Sequence, residues 1–281
     1  MTGPPPLAAR DTLLTVSDLN VTYRGRGFRA PQFRALTDVS IDIGRGETVG
    51  LVGESGSGKT TLGRALLGLV PIDSGSVRFE SAEIAGLSDG QRRRRSPDIQ
   101  VVFQDPYSSL NPAMTVEAIL SEPLTVRGVS RGHARRRVRE LLDQVQLAAG
   151  AERRYPREFS GGQRQRIAIA RALALEPKLI ICDEPVSALD LSTQARVLDL
   201  FIEIQERTGV AYLFISHDIS VVRYISHRVA VMLRGEIIES GDGESVTSSP
   251  EHDYTRRLLL ASPVPDPLRQ AERRARYLSL Q

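Results

Sequence analysis

A glycine-rich run set between a buried-strand pattern and a helical pattern constrains this chain more than any other feature. Residues 47–52 read as a short strand, and residues 60–69 carry apolar side chains at helical spacing. Between them stand Gly53, Glu54, Ser55, Gly56, Ser57, Gly58, Lys59 and Thr60, a complete G-x-x-x-x-G-K-T. Glycines let the backbone curl until several N–H groups face one centre, and the following helix adds the positive end of its dipole. That is the chemistry of a phosphate chain. Lys59 is placed to reach the β- and γ-phosphates, the Thr60 hydroxyl to ligate Mg²⁺, and Thr61 to extend the same turn. Of the 37 basic residues only Lys59 and Lys178 are lysines. A chain that otherwise uses arginine keeps a compact point charge at the end of this loop.

The rest of the pattern supplies a framework. Strands are expected over 13–23, 36–43, 99–103, 179–182 and 210–215, with helices over 160–175, 192–207 and 219–225. Residues 115–147 read as helical with a polar face and hold no strand, which argues for an inserted helical subdomain at about 105–160. A closing hairpin is expected at 228–233 and 236–239 around Arg234-Gly235, then one short helix at 254–261 in a Pro-punctuated segment. Alternating strands and helices define an α/β fold with a mainly parallel sheet and helices on both faces. The Pro-rich residues 1–11 lack the apolar core of a signal peptide and read as a disordered cytoplasmic tail.

Charge and cysteine content exclude other classes. The formal charge is +3, and the local runs Arg92–Arg95 and Arg135–Arg137 with Arg139 read as solvated helix faces, so no nucleic-acid partner is expected. The one cysteine, Cys182, excludes an internal disulfide and a cysteine-built cluster, and its apolar neighbours make it a packing residue. No stretch approaches the ~18 apolar residues of a membrane span.

Two further motifs carry chemistry. Leu179-Ile180-Ile181-Cys182 ends in Asp183-Glu184 and Pro185, which puts two carboxylates at the carboxyl edge of a sheet, where α/β folds bind ligands. Asp183 suits a Mg²⁺ shell and Glu184 the polarisation of an attacking water. Adjacent strand residues face opposite ways, so both can serve only because the strand stops there. Ser160-Gly161-Gly162-Gln163, opening a helix after Phe159, forms a second anion-type site.

These motifs, in this order, resemble the nucleotide-binding subunits of ATP-binding cassette (ABC) transporters along nearly the whole chain. The resemblance implies a P-loop ATPase fold with an antiparallel β subdomain beside the core sheet. It implies that Ser160, Gly161, Gly162 and Gln163 form the signature that closes over ATP held by a partner subunit. It implies that Gln104 is a Mg²⁺-ligating sensor, that Ser187-Ala188-Leu189-Asp190 communicates across a dimer, that His217 contacts the γ-phosphate and that Tyr23 stacks on adenine. Phe159 stands where Leu is usual. Ser109-Leu110-Asn111-Pro112-Ala113-Met114, and His252-Asp253-Tyr254-Thr255 followed by Pro263-Val264-Pro265-Asp266-Pro267, resemble the oligopeptide/dipeptide importer branch, whose members usually have Pro in place of Asp253.

The expectation is therefore a cassette over 12–245 with an importer-type extension over 246–281, binding ATP and Mg²⁺. It would work at the cytoplasmic face of the membrane with a paralogous second ATPase, two permeases and, indirectly, an extracellular solute-binding protein. The competing readings are an exporter ATPase and a soluble cassette ATPase of DNA repair or translation. A single cassette without sustained heptads argues against the latter, and the C-terminal extension against the former.

Overall fold

The computed structural model describes residues 11–24, 32–105 and 109–261. The expected N-terminal tail, most of the loop after Arg24, Pro106 and the Pro263–Pro267 run lie outside them. Two compact units emerge: one gathers the described residues up to Leu87 and from Leu213 onward, the other spans Ser88–Tyr212.

The first unit begins with β1 (Thr12–Arg24), β2 (Gln32–Gly44) and β3 (Thr48–Val52), then α1 (Lys59–Leu66), β4 (Ser74–Phe79) and β5 (Ala82–Glu83). Strands β2-β1-β4-β5 form one antiparallel sheet. Leu14, Val16, Leu36, Ile43, Val77 and Phe79 bury its apolar face, each at the ~1.5–3 kcal/mol of a fully buried large side chain. Strands β4 and β5 were not expected from the sequence. Ser74-Gly75-Ser76 carries little strand propensity, and β4 exists because it pairs with β1, Leu14 opposite Phe79 and Val16 opposite Val77.

The second unit holds α2 (Asp89–Arg95), β6 (Ile99–Val102), α3 (Val116–Val126), α4 (Arg131–Gln144), α5 (Gly161–Leu173), β7 (Leu179–Asp183) and α6 (Leu191–Thr208). The expected helical stretch at 115–147 is two helices, broken around Gly128, whose φ is 78°. Each buries one stripe, Val116, Ile119, Leu120 and Leu124 on α3, and Ala134, Val138, Leu141 and Leu142 on α4. Helix α2, which periodicity did not reveal, carries Arg92–Arg95 and buries no residue, so that arginine run is a solvated face. Arg135 pairs with Glu117 and Arg137 with Glu140 and Glu176. Tyr212 meets Phe201 edge to face at 5.4 Å, and its hydroxyl donates to the Phe201 carbonyl at 3.3 Å.

The chain then returns to the first unit through β8 (Ala211–Ser216), α7 (Ile219–Ile225), β9 (Arg228–Leu233), β10 (Glu236–Asp242), α8 (Gly243–Ser248) and α9 (Asp253–Ala261). Strands stand in the order β10-β9-β3-β8, with β3 parallel to β9 and the expected hairpin β9–β10 antiparallel. Val52, Ile219, Val222, Val229, Val231, Val246 and Tyr254 make one apolar cluster, with Leu258 and Leu259 packed on it. The C-terminal helix is thus part of the core that holds β3.

The hairpin turn also braces the glycine loop. Gly235 donates its N–H to the Ser57 carbonyl at 2.8 Å and accepts from Thr37 N–H at 2.9 Å. Its φ is +89°, and a Cβ there would stand 2.8 Å from the Ala35 carbonyl oxygen. Gly235→Ala should therefore cost about 1–3 kcal/mol. Urea unfolding reads this as a lowered midpoint at unchanged slope, and an unshifted midpoint would contradict the brace.

Candidate functional site

In the first unit, β3 is buried along its whole length and stops at Gly53. A Cβ on Gly53 would lie 2.2 Å from the Met232 carbonyl oxygen, so no larger residue fits. Gly56 and Gly58 have φ of 82° and 111°, conformations that side chains resist. Gly58 is the N-cap of α1, with no capping side chain and no acidic residue in the first turn. The positive helix end is left for an anion. Lys59 is 4% exposed. Its Nζ donates to the Gly53 and Glu54 carbonyls at 2.6 and 2.8 Å and to Ser57 Oγ at 3.4 Å. These contacts hold the ammonium at the head of the helix, folded back against the loop.

Tyr23 lies near the end of β1, its hydroxyl 3.4 Å from Thr61 Oγ1, so the loop's helix and the expected adenine-stacking residue meet. The register sets Phe33 directly opposite Tyr23, and both are exposed, Phe33 at 62%. Sequence reading passed over Phe33, because only the pairing of β1 with β2 brings it onto the Tyr23 face. His217 is exposed immediately after β8, the neighbour of β3 in the sheet.

In the second unit, β6 and β7 pair in parallel, Val102 opposite Cys182. Gln104 follows two residues after Val102 and Asp183 one after Cys182, so both stand at the carboxyl ends of adjacent strands. Glu184 has φ +50°, rare for a side chain of its size. This turn ends the strand and frees Glu184 from alternation with Asp183, the condition under which both carboxylates can act. The Ser187 hydroxyl donates to the Glu184 carbonyl at 3.0 Å and secures the turn. Cys182 is fully buried, and burial followed by the Asp183 charge pushes its thiol well up, as a packing role requires.

Ser160 caps α5 in a reciprocal box: its Oγ accepts from Gln163 N–H at 3.4 Å, and Gln163 Oε1 accepts from Ser160 N–H at 3.0 Å. Gly161 and Gly162 form the first turn. A Cβ on Gly162 would strike Thr193 Cγ2 at 2.2 Å, so the glycine is demanded by close packing on α6. Phe159 is buried under the Arg154 guanidinium, 4.3 Å above its ring, and accommodates the departure from Leu.

Among the described residues no group of three or more His, Cys, Asp or Glu side chains gathers to hold a metal. The hydroxyl of Thr60 in the first unit and, separately, the carboxylate of Asp183 in the second are each the kind of oxygen donor that Mg²⁺ takes. No described helix is long and apolar enough to cross a membrane.

A buried strand, a sterically forced glycine loop and a lysine-headed helix define a phosphate-loop nucleotide-binding protein. A family model described as ABC transporter matches residues 36–187, more than half of the chain, and the chain belongs to that family. It is 49% identical over 262 residues to a peptide import ATP-binding protein of Brucella ovis, covering 93% of this chain and 82% of the relative. It is 51% identical over 239 residues to the oligopeptide transport ATP-binding protein OppD of Mycobacterium tuberculosis, covering 85% of this chain. That match spans only 39% of the mycobacterial protein's length. Among solved structures, the dimeric ATP-binding cassette MJ0796 in a post-hydrolysis state with ADP and Pi superposes with a TM-score of 0.72 at 30% identity. The match covers 82% of this chain and 98% of that one. The fold is that of an ABC ATPase.

The loop after the carboxylates ends in Asp190, the N-cap of α6. Hydrogen bonds from Thr193, then from Ser192, hold its carboxyl well below the usual carboxylate range. A lowered folded-state pKa stabilises above the unfolded value and is lost as pH falls through the folded one. Asp190→Ala should therefore be less stable than the parent at pH 7. The gap should persist below the ordinary carboxyl value of 3.8 and close only at stronger acidity. Thermal melts across pH test this, and a gap already closed at pH 4 would refute it.

Proposed function

We propose that this chain is the ATP-hydrolysing subunit of a membrane importer of peptides or a related small solute. The observation that carries the reading is the forced glycine loop ending in Lys59, in a chain about half identical to peptide-import ATP-binding proteins along most of its length. In this reading several N–H groups of the glycine loop and the Lys59 ammonium grip the phosphates, and Tyr23 stacks on adenine. Thr60, Asp183 and Gln104 would hold Mg²⁺, which supplies charge neutralisation at the phosphate oxygens. Glu184 orients and deprotonates the attacking water, and His217 fixes the γ-phosphate.

Ser160–Gln163 presents helix N–H groups to ATP held by a second cassette, for which the dimeric state of MJ0796 is the precedent. Two ATPases would then close over two nucleotides and pull on two permeases at the inner membrane face, a solute-binding protein delivering cargo from outside. Residues 105–160 serve as the helical subdomain facing the permeases and 246–281 as the importer-type extension.

Two variants test the chemistry. Lys59→Ala should abolish ATP binding in calorimetry. Glu184→Gln should bind ATP as the parent does, accumulate as an ATP-bound dimer on gel filtration and lose about 10²–10⁴-fold in turnover. Normal turnover in either variant would overturn the corresponding role.

A further inference from the structure

We infer that Tyr254, on the C-terminal helix α9, is a positioning residue for the phosphate loop, so that nucleotide affinity depends on the docking of that helix. The inference rests on the phosphate-loop reading and adds a residue far from it in sequence. Glu54 is the second residue of the loop, and its N–H donates to Tyr254 Oη at 3.0 Å. The same residue is also used through its carbonyl. The Glu54 carbonyl accepts from Lys59 Nζ at 2.8 Å and from Ser57 N–H at 3.2 Å. Tyr254 therefore fixes the residue whose carbonyl steers the phosphate-binding ammonium.

The helix start that carries the tyrosine is itself held firmly. Both carboxylate oxygens of Glu239 on β10 accept backbone N–H groups, from Glu251 at 2.8 Å and His252 at 3.1 Å. His252 Nδ1 in turn accepts Tyr254 N–H at 3.0 Å. Arg256 clasps the Pro250 and Glu251 carbonyls, which closes the entry to α9. The Tyr254 ring is 5% exposed and packs with Val52, the last residue of β3, so ring and hydroxyl bear on two sides of the same junction. Burial pushes the phenol up, although the Glu54 N–H bond opposes it, and the hydroxyl remains a neutral acceptor. Beside the contact opens a cleft of about 490 Å³ bounded by Ser55, Gly56, Leu233 and Arg257. On this flank the tyrosine is the strut between loop and helix.

Ring packing alone would make phenylalanine an adequate replacement, and the hydroxyl role would not. Tyr254→Phe in the full chain should weaken ATP binding about three- to tenfold by calorimetry, with KM raised to match and kcat within about twofold. Leu258→Ala, which loosens the same helix without touching the hydroxyl, should lower Tm and leave ATP affinity within about twofold. Parent-like affinity in Tyr254→Phe would overturn the inference, as would affinity losses that merely track Tm in both variants. The parent chain must bind ATP and Lys59→Ala must not. Failure of that control would sink the phosphate-loop reading itself, whereas parent binding with an unaffected Tyr254→Phe sinks only the tyrosine's role.

Discussion

The structure turns on a steric constraint at the end of β3. At Gly53 the backbone passes so close to the Met232 carbonyl that a methyl group has no room, and at Gly58 it passes the Ala35 carbonyl in a left-handed conformation. Backbone from β9 and β2 thereby clamps the loop on two sides, and the Gly235 N–H bond to Ser57 adds a third. A ring of N–H groups aimed at one anion must be rigid before the anion arrives, or the cost of ordering it comes out of the binding energy. Here the ordering is done by folding. The antiparallel sheet and the C-terminal helix each contribute one contact to a single loop, and the closing hairpin contributes two.

Much of this was legible in the residues. The glycine loop, its flanking strand and helix, the carboxylates ending β7 and the Ser160 start of α5 all arise from local rules that act within a few residues. The Arg234-Gly235 turn and the burial of Cys182 follow from patterns equally short. Family resemblance extended the reading to Gln104, His217 and Tyr23, for which spacing alone says little, and each stands at the end of a strand or just beyond one.

What escaped were features made by pairing across the chain. Strand β4 is a strand because β1 lies beside it, and its serine and glycine carry no alternation of their own. Helix α2 buries nothing, so periodicity had nothing to report. Phe33 joins Tyr23 only through the β1–β2 register, and Tyr254 reaches Glu54 across 200 residues of chain. The left-handed Glu184 is a further case: the need for the strand to stop was readable, but the means was not, since a glutamate seldom adopts that conformation unaided. Asp253 supplies an acidic first turn to α9 and a partner for Arg256, so electrostatics favour the helix start.

The capping box at Ser160 has a consequence of its own. The box engages two amides of this helix start, those of Ser160 and Gln163, with the protein's own side chains. In the reading proposed above, an anion arriving there must either draw those side chains away or make do with the amides of Gly161 and Gly162. Either route lowers its affinity, which favours an anion delivered at high local concentration on a facing protein surface over dilute phosphate.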